Sequence, residues 1–161
     1  MKLFPWLALM AMLTCPMAAQ AHDLGECPVL AKESLTGELI DVRKLKAKLV
    51  IVEYWATWCP PCIANLRHLQ TLKDTHEGVE IVGINSEDDA KAILAFMAKW
   101  KLNVLTLWDR DLSLLKAAAP SSLPYTVVLD ASGCVIWKGN GTSQETLQSL
   151  NTVVNRHSGG K

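Results

Sequence analysis

The chain has 161 residues, enough for one domain with a full hydrophobic core. Lysine plus arginine and aspartate plus glutamate number 16 each, so the formal net charge is zero. There is no basic surplus to bind nucleic acid or an anionic membrane surface, and no acidic tail.

The amino terminus reads as an export signal. Lys2 supplies the positive start, Leu3 to Ala19 is almost wholly apolar, and Ala19-Gln20-Ala21 is a small-X-small cleavage pattern. Residues 1–21 are therefore expected to be a cleavable signal peptide, with a mature, exported chain starting at His22. Two readings compete. One is an uncleaved membrane anchor, for which the run is short and broken by Pro16. The other is lipid attachment at Cys15, where Thr14 is a poor preceding residue. Cleavage would leave Cys27, Cys59, Cys62 and Cys134, an even number that suggests pairing in an oxidising compartment. If Cys59 pairs with Cys62, only Cys27–Cys134 remains; the alternative is two separate thiols, one of them buried.

Residues 22–34 read as a mixed polar extension, and the domain proper is expected over 35–156. Leu35 to Ile40 suggests a short hairpin or edge strand turning at Gly37, followed by a basic, partly helical connector from Asp41 to Lys48. Leu49 to Tyr54 is a nearly continuous β-rich apolar run, the pattern of a strand buried on both faces. Cys59 to His76 reads as a helix with Ile63, Leu66, Leu69 and Leu72 on its apolar side and Asn65, Arg67, Gln70 and Lys73 turned away. A strand at Val79 to Ile84 follows, then a helix whose start resembles a capping box from Ser86 to Asp89. Asn103 to Trp108 predicts another strand, and Leu112 to Ala118 a short helix ended by Pro120. Tyr125–Asp130 and Val135–Lys138 flank a turn at Gly133, and Gln144 to Val154 closes the pattern as an amphipathic helix before a frayed tail at residues 157–161. Alternating strands and helices ending in a hairpin and a helix imply an α/β chain, a mixed sheet covered on both faces.

The chemistry concentrates in Trp55-Ala56-Thr57-Trp58-Cys59-Pro60-Pro61-Cys62, at the junction of the buried strand and the following helix. The attacking species in disulfide exchange is a thiolate, which needs a lowered pKa and access. Cys59 is expected at the exposed N-cap, where the helix dipole favours negative charge, and Cys62 one turn later and more covered. Cys59 is then the nucleophile and Cys62 the resolving thiol. Pro60 and Pro61 suit the first helical positions but remove two N–H donors, and no His or Lys lies between the cysteines. Cys59 should be acidified less than in a strong oxidant, which favours a reductant. Glu53 is the only charge in the buried strand. It is either solvated on a sheet edge or partly buried with a raised pKa, exchanging a proton with Cys62. Trp55 is expected in the core, and Trp58 in an apolar contact surface beside the dithiol.

No cofactor is implied. No phosphate loop, nucleophile elbow or dinucleotide fingerprint appears. The cysteine pair has zinc-ligand spacing but no second pair to complete a tetrahedral site. A free amine on His22 offers a copper chelate, against the plainer reading of a solvated terminal histidine.

The Trp-Cys-Pro-Pro-Cys motif after a buried strand resembles the thioredoxin fold. With the αβ unit between Ile84 and Pro120, the chain is similar over roughly Leu35 to Val154 to exported TlpA/ResA/DsbE-type thiol–disulfide oxidoreductases. The resemblance implies a cis proline at Pro124 beside the dithiol, with Leu123, Pro124, Tyr125, Trp58 and Pro60 contacting substrate. It places Glu53 where thioredoxins carry a buried Asp. Leu123-Pro124-Tyr125-Thr126 departs from the commoner Val-Pro-Thr-Thr, and Tyr125 is expected to alter which partner docks. The implied setting is a periplasmic monomer that reduces disulfides of exported proteins, recharged by a DsbD-like membrane donor, in cytochrome c or copper-site cysteine maturation. A disulfide oxidant or isomerase, and a copper-handling dithiol module, are the alternatives.

Overall fold

The computed structural model describes residues 22–159. The expected signal segment, with Cys15 and the cleavage pattern, lies outside the described residues, as do residues 160–161.

The fold is built on β3 (Leu49–Trp55), every residue of which is buried. It is the central strand of a five-stranded sheet ordered β5-β4-β3-β6-β7. Strand β4 (Val79–Asn85) runs parallel to it, and β5 (Leu105–Trp108) runs parallel to β4. Strand β6 (Tyr125–Asp130) is antiparallel to β3, and β7 (Val135–Asn140) is antiparallel to β6 with a bulge at Val128/Leu129. A parallel pair needs a crossover, and α1 (Pro60–Thr75) and α2 (Ala90–Trp100) supply the two. Helix α3 (Ser113–Ala118) and α4 (Gln144–Ser158) complete the helical layers. The sheet is mixed and covered on both faces, as the residue pattern implied.

The period of two along β3 sorts its side chains. Leu49, Ile51 and Trp55 face a core shared with Cys62, Leu66 and Leu69 of α1, Ile93 and Met97 of α2, and Leu150 and Val154 of α4. Burial of a leucine such as Leu66 or Leu69 contributes about 1.5–3 kcal/mol. Val50, Val52 and Tyr54 face the opposite core, with Leu30, Val42 and Leu114. Alternation puts Glu53 on the α1 face, between Ile51 and Trp55. Gly83 on β4 makes room there: a Cβ would stand 2.6 Å from the Trp55 indole Nε1.

The amino-terminal segment is a strap, more ordered than a polar extension. Strand β1 (Ala31–Glu33) and β2 (Leu39–Asp41) form a hairpin whose turn contains Gly37 at φ 88°. The boundary expected at residue 35 therefore falls inside this hairpin. Gly25 N donates to Val135 O and Val135 N to Glu26 O, at one edge of the sheet. Ser34 bridges Leu107 and Leu35 N donates to Thr106 O, at the other edge. Between these ties, His22 is buried 3.4 Å from Tyr54 Oη, and burial lowers its pKa. It is not a solvated residue. Cys27 and Cys134 form a disulfide spanning 107 positions, which joins the strap to the start of β7.

Three local expectations are corrected. Helix α2 is capped by Asp89, whose carboxylate accepts from Lys91 N and Ala92 N, while Ser86 Oγ donates to Asp109 Oδ2. Asp89 immediately precedes the first helical residue, so its short side chain reaches the free amides. Helix α4 extends to Ser158, which is buried and donates to Val154 O at 2.7 Å. The tail is helical this far because its last turn packs instead of fraying. Asn65, placed by its polarity on the outer face of α1, is buried; its partner lies on β3.

Candidate active site

Strand β3 ends at Trp55 and the chain turns through Ala56-Thr57-Trp58 into α1. Cys59 is the N-cap, and Pro60 and Pro61 occupy the first two helical positions. Prolines are tolerated there because the N–H groups they lack have no helical acceptor. The first amide available in the turn, Cys62 N, donates to Cys59 O at 3.0 Å. The helix dipole therefore acts on Cys59 without the first two backbone donors.

Cys59 and Cys62 are joined as a disulfide. The expected exposure of Cys59 does not hold in this state: it is 4% exposed, against 0% for Cys62. Trp58 beside it is 70% exposed, while Trp55 is buried. Pro60 is exposed, so the outer wall of the disulfide is apolar and accessible.

The peptide bond Leu123–Pro124 is cis, and both residues precede β6. Pro124 is buried; Leu123 is partly exposed and, with Trp58, Leu112, Leu115 and Glu87, lines a cleft of about 180 Å³. Tyr125 departs from its expected place on the contact surface. It is buried, its ring 5.7 Å from that of Tyr54, because the first residue of β6 alternates into the core opposite α1.

Glu53 is wholly buried on the central strand, which removes the solvated-edge alternative. Burial raises its pKa well above 4.5, and the Asn65 hydrogen bond opposes this only in part. Asn65 Nδ2 donates to Glu53 Oε2 at 2.6 Å and lies 3.3 Å from Thr126 Oγ1. Among the described residues, no charged side chain contributes to the shift.

Sequence reasoning missed two residues of this site. Asn65 sits one turn beyond Cys62 on α1, at a spacing that puts both on one helical face. The i, i+3 relation to Cys62 was a usable signal that polarity overrode. Glu87 follows β4. Its carboxylate accepts from Thr57 N at 2.7 Å, Thr57 Oγ1 at 2.6 Å and Asn85 Nδ2 at 2.9 Å, and its carbonyl accepts from Trp108 Nε1. It thereby clamps the turn carrying Trp58 and Cys59 to the ends of β4 and β5. No local pattern marks it, since Thr57 and Trp108 are remote from it in sequence. Among the described residues, no group of three or more His, Cys, Asp or Glu side chains could hold a metal ion.

Comparison with known proteins agrees with this geometry. The Redoxin family model matches residues 18–154. The thiol–disulfide oxidoreductase ResA of Bacillus subtilis is 31% identical over 124 residues, covering 76% of this chain and 69% of that protein. The thiol:disulfide interchange protein DsbE of Tatumella citrea is 29% identical over 134 residues, covering 73% of this chain and 71% of that protein. The chain spans between 66% and 69% of the length of the first two ResA relatives it matches. A crystal structure assigned to a DsbE protein of Chlorobium tepidum superposes with a TM-score of 0.78 at 18% identity, covering 86% of this chain and 100% of that one; at that identity it speaks for the thioredoxin-like fold alone. With a dithiol at the head of α1 and these matches over most of its length, the chain belongs to the redoxin family, as a thiol–disulfide oxidoreductase homologous to ResA and DsbE.

Proposed function

We propose that the protein is exported to the periplasm and there reduces disulfides in partner proteins. The observation that carries the direction is the pair Pro60 and Pro61 at the first two positions of α1. A Cys59 thiolate there lacks the two nearest backbone donors, so the reduced form is less stabilised and the couple less oxidising. Export rests on Lys2, the apolar run to Ala19 and the Ala19-Gln20-Ala21 pattern. No described helix is long and apolar enough to cross a membrane.

The catalytic cycle uses Cys59, Cys62 and Glu53. The Cys59 thiolate attacks a partner disulfide, forming a Cys59–partner bond as the partner's second sulfur leaves as a thiolate. The Cys62 thiol passes its proton to the Glu53 carboxylate and attacks Cys59. The Cys59–Cys62 bond forms, the Cys59–partner bond breaks, and the partner departs with both sulfurs reduced. Two electrons have moved from this protein to the partner. Recharging reverses the order: a donor thiolate attacks Cys59, Cys62 leaves, and Glu53 returns the proton to its sulfur; the donor's second thiolate then attacks the donor sulfur bound to Cys59, and Cys59 leaves as the thiolate. While the disulfide is closed, Glu53, buried between Ile51 and Trp55, holds that proton until charge develops on Cys62.

Trp58, Pro60 and Leu123 form the partner-facing rim, with the buried Pro124 behind Leu123. Tyr125 shapes it only through the core beneath. An oxidising compartment has no thiol pool suited to recharging the site, so a membrane-linked dithiol donor of DsbD type is the fitting partner. Apocytochrome c, whose cysteines must be reduced before haem attachment, is the fitting class of substrate, alongside the cysteines of copper sites.

The test is the equilibrium potential of Cys59–Cys62 in graded dithiothreitol or glutathione buffers. The proposal expects a value toward the roughly −270 mV of a dithiol reductant; one near the roughly −120 mV of a strong oxidant refutes the direction.

A further inference from the structure

Asn65 is a polar side chain, 3% exposed, in a layer otherwise built from Leu66, Leu69, Ile51 and Trp55. Its amide nitrogen is used: Nδ2 donates to Glu53 Oε2 at 2.6 Å and approaches Thr126 Oγ1. Its oxygen is not. Asn65 Oδ1 and Glu53 Oε1 are both buried, and among the described residues neither has a hydrogen-bond partner. Leaving a buried oxygen without a donor is unfavourable. These two belong to the same two planar groups, already joined through their other atoms. Neither oxygen can donate to the other while Glu53 is ionised. A single proton on Oε1 supplies the donor that both oxygens lack.

We infer that Asn65 is a positioning residue of the redox site, closing a cyclic acid–amide pair with Glu53 in which Nδ2–H donates to Oε2 and the carboxyl O–H on Oε1 donates to Oδ1. The inference rests on the proton-transfer role of Glu53 and deepens it. The pair gives that proton a resting place and a direction. While the Cys59–Cys62 bond is closed, Cys62 carries no charge and the proton stays on the ring. When a thiolate attacks Cys59, the Cys59–Cys62 bond breaks and electrons collect on the Cys62 sulfur. The O–H then turns from Asn65 Oδ1 to that sulfur and transfers its proton. The Glu53 carboxylate left behind keeps the Nδ2–H donor at Oε2, now a charge-assisted bond. One carboxamide thus serves both states, its oxygen holding the acid and its nitrogen the carboxylate. Cys62 and Asn65 are one helical turn apart on one face of α1.

The raised pKa of Glu53, driven by burial and opposed in part by Asn65, agrees with a neutral carboxyl.

Infrared difference spectroscopy of the oxidised protein at neutral pH tests the pair. Wild type should show a protonated-carboxyl C=O band that is absent from Glu53→Gln, and in Asn65→Leu that band should move up toward the position of a free acid. Opening of the disulfide by dithiothreitol should slow at least about tenfold in Asn65→Leu, with the inflection of its pH profile displaced. Absence of the band from wild type overturns the inference, and that arm does not depend on the Asn65 variant folding. A band left unmoved by Asn65→Leu also overturns it. If the band behaves as expected but Glu53→Gln reduces disulfides at the wild-type rate, the pair stands and the proton-transfer role of Glu53 falls.

Discussion

Glu53→Gln should make the protein more stable, and increasingly so as pH rises. In the unfolded chain the carboxyl titrates near 4.5; in the fold, burial holds it well above that value. Between the two pKa values the native state binds one proton more than the unfolded state. Unfolding free energy then falls with pH at a rate approaching about 1.4 kcal/mol per unit. Below the unfolded value both states are protonated and the difference vanishes. Glutamine has the shape of the neutral acid, keeps an amide–amide pairing open to Asn65, and cannot ionise. The variant should therefore match wild type near pH 4 and exceed it by about 1 to 3 kcal/mol two units higher, with other titrations cancelling in the difference. The assay is urea unfolding at a series of pH values, with both disulfides oxidised in both proteins. A difference that stays flat from about pH 4 to 7, or that turns in favour of wild type as pH rises, refutes a neutral Glu53.

Three other outcomes follow from the geometry. Replacing Cys62 with Ser should leave Cys59 able to attack but unable to be released, so mixed disulfides with partner proteins should accumulate on Cys59 and disappear on reduction; an empty trap denies the assigned order of attack. Replacing both Cys27 and Cys134 with Ala removes a crosslink over 107 positions. It should cost about 2–5 kcal/mol by denaturant unfolding while leaving the Cys59–Cys62 potential in place, because the strap lies across the sheet face away from α1. Glu87→Gln keeps the side chain's size but cannot accept all three bonds now held by the carboxylate. A loss of about 1–3 kcal/mol is expected. Faster hydrogen exchange at Thr57 N should accompany it, and unchanged exchange there denies the clamp.

Much of this protein is written in local pattern. The apolar run at Leu49–Tyr54, the helical spacing from Ile63 to Leu72 and the turn at Gly133 need only nearest neighbours to be read, and all become elements of the fold. The two cysteines at a strand-to-helix junction, with prolines in the first turn, specify the dithiol and its helix start by spacing alone. Burial and remote partners are another matter, since they depend on which strand lies beside which. Glu53 has its pKa raised because β3 is central and α1 covers it; on an edge strand the same residue would be solvated. Asn65 carries the same helical phase whether it faces water or Glu53, and only the packing of α1 on β3 decides. The resemblance puts Tyr125 on the contact surface, whereas the alternation of β6 puts it in a core. Glu87 and the strap gain their roles from ties to Thr57, Val135 and Leu107, which lie tens of residues away. The sequence by itself determined the redox pair and the elements that carry it. Tertiary structure decided which charges lose water and which polar groups find each other, because desolvation and hydrogen bonding act between groups that the chain brings together only when folded.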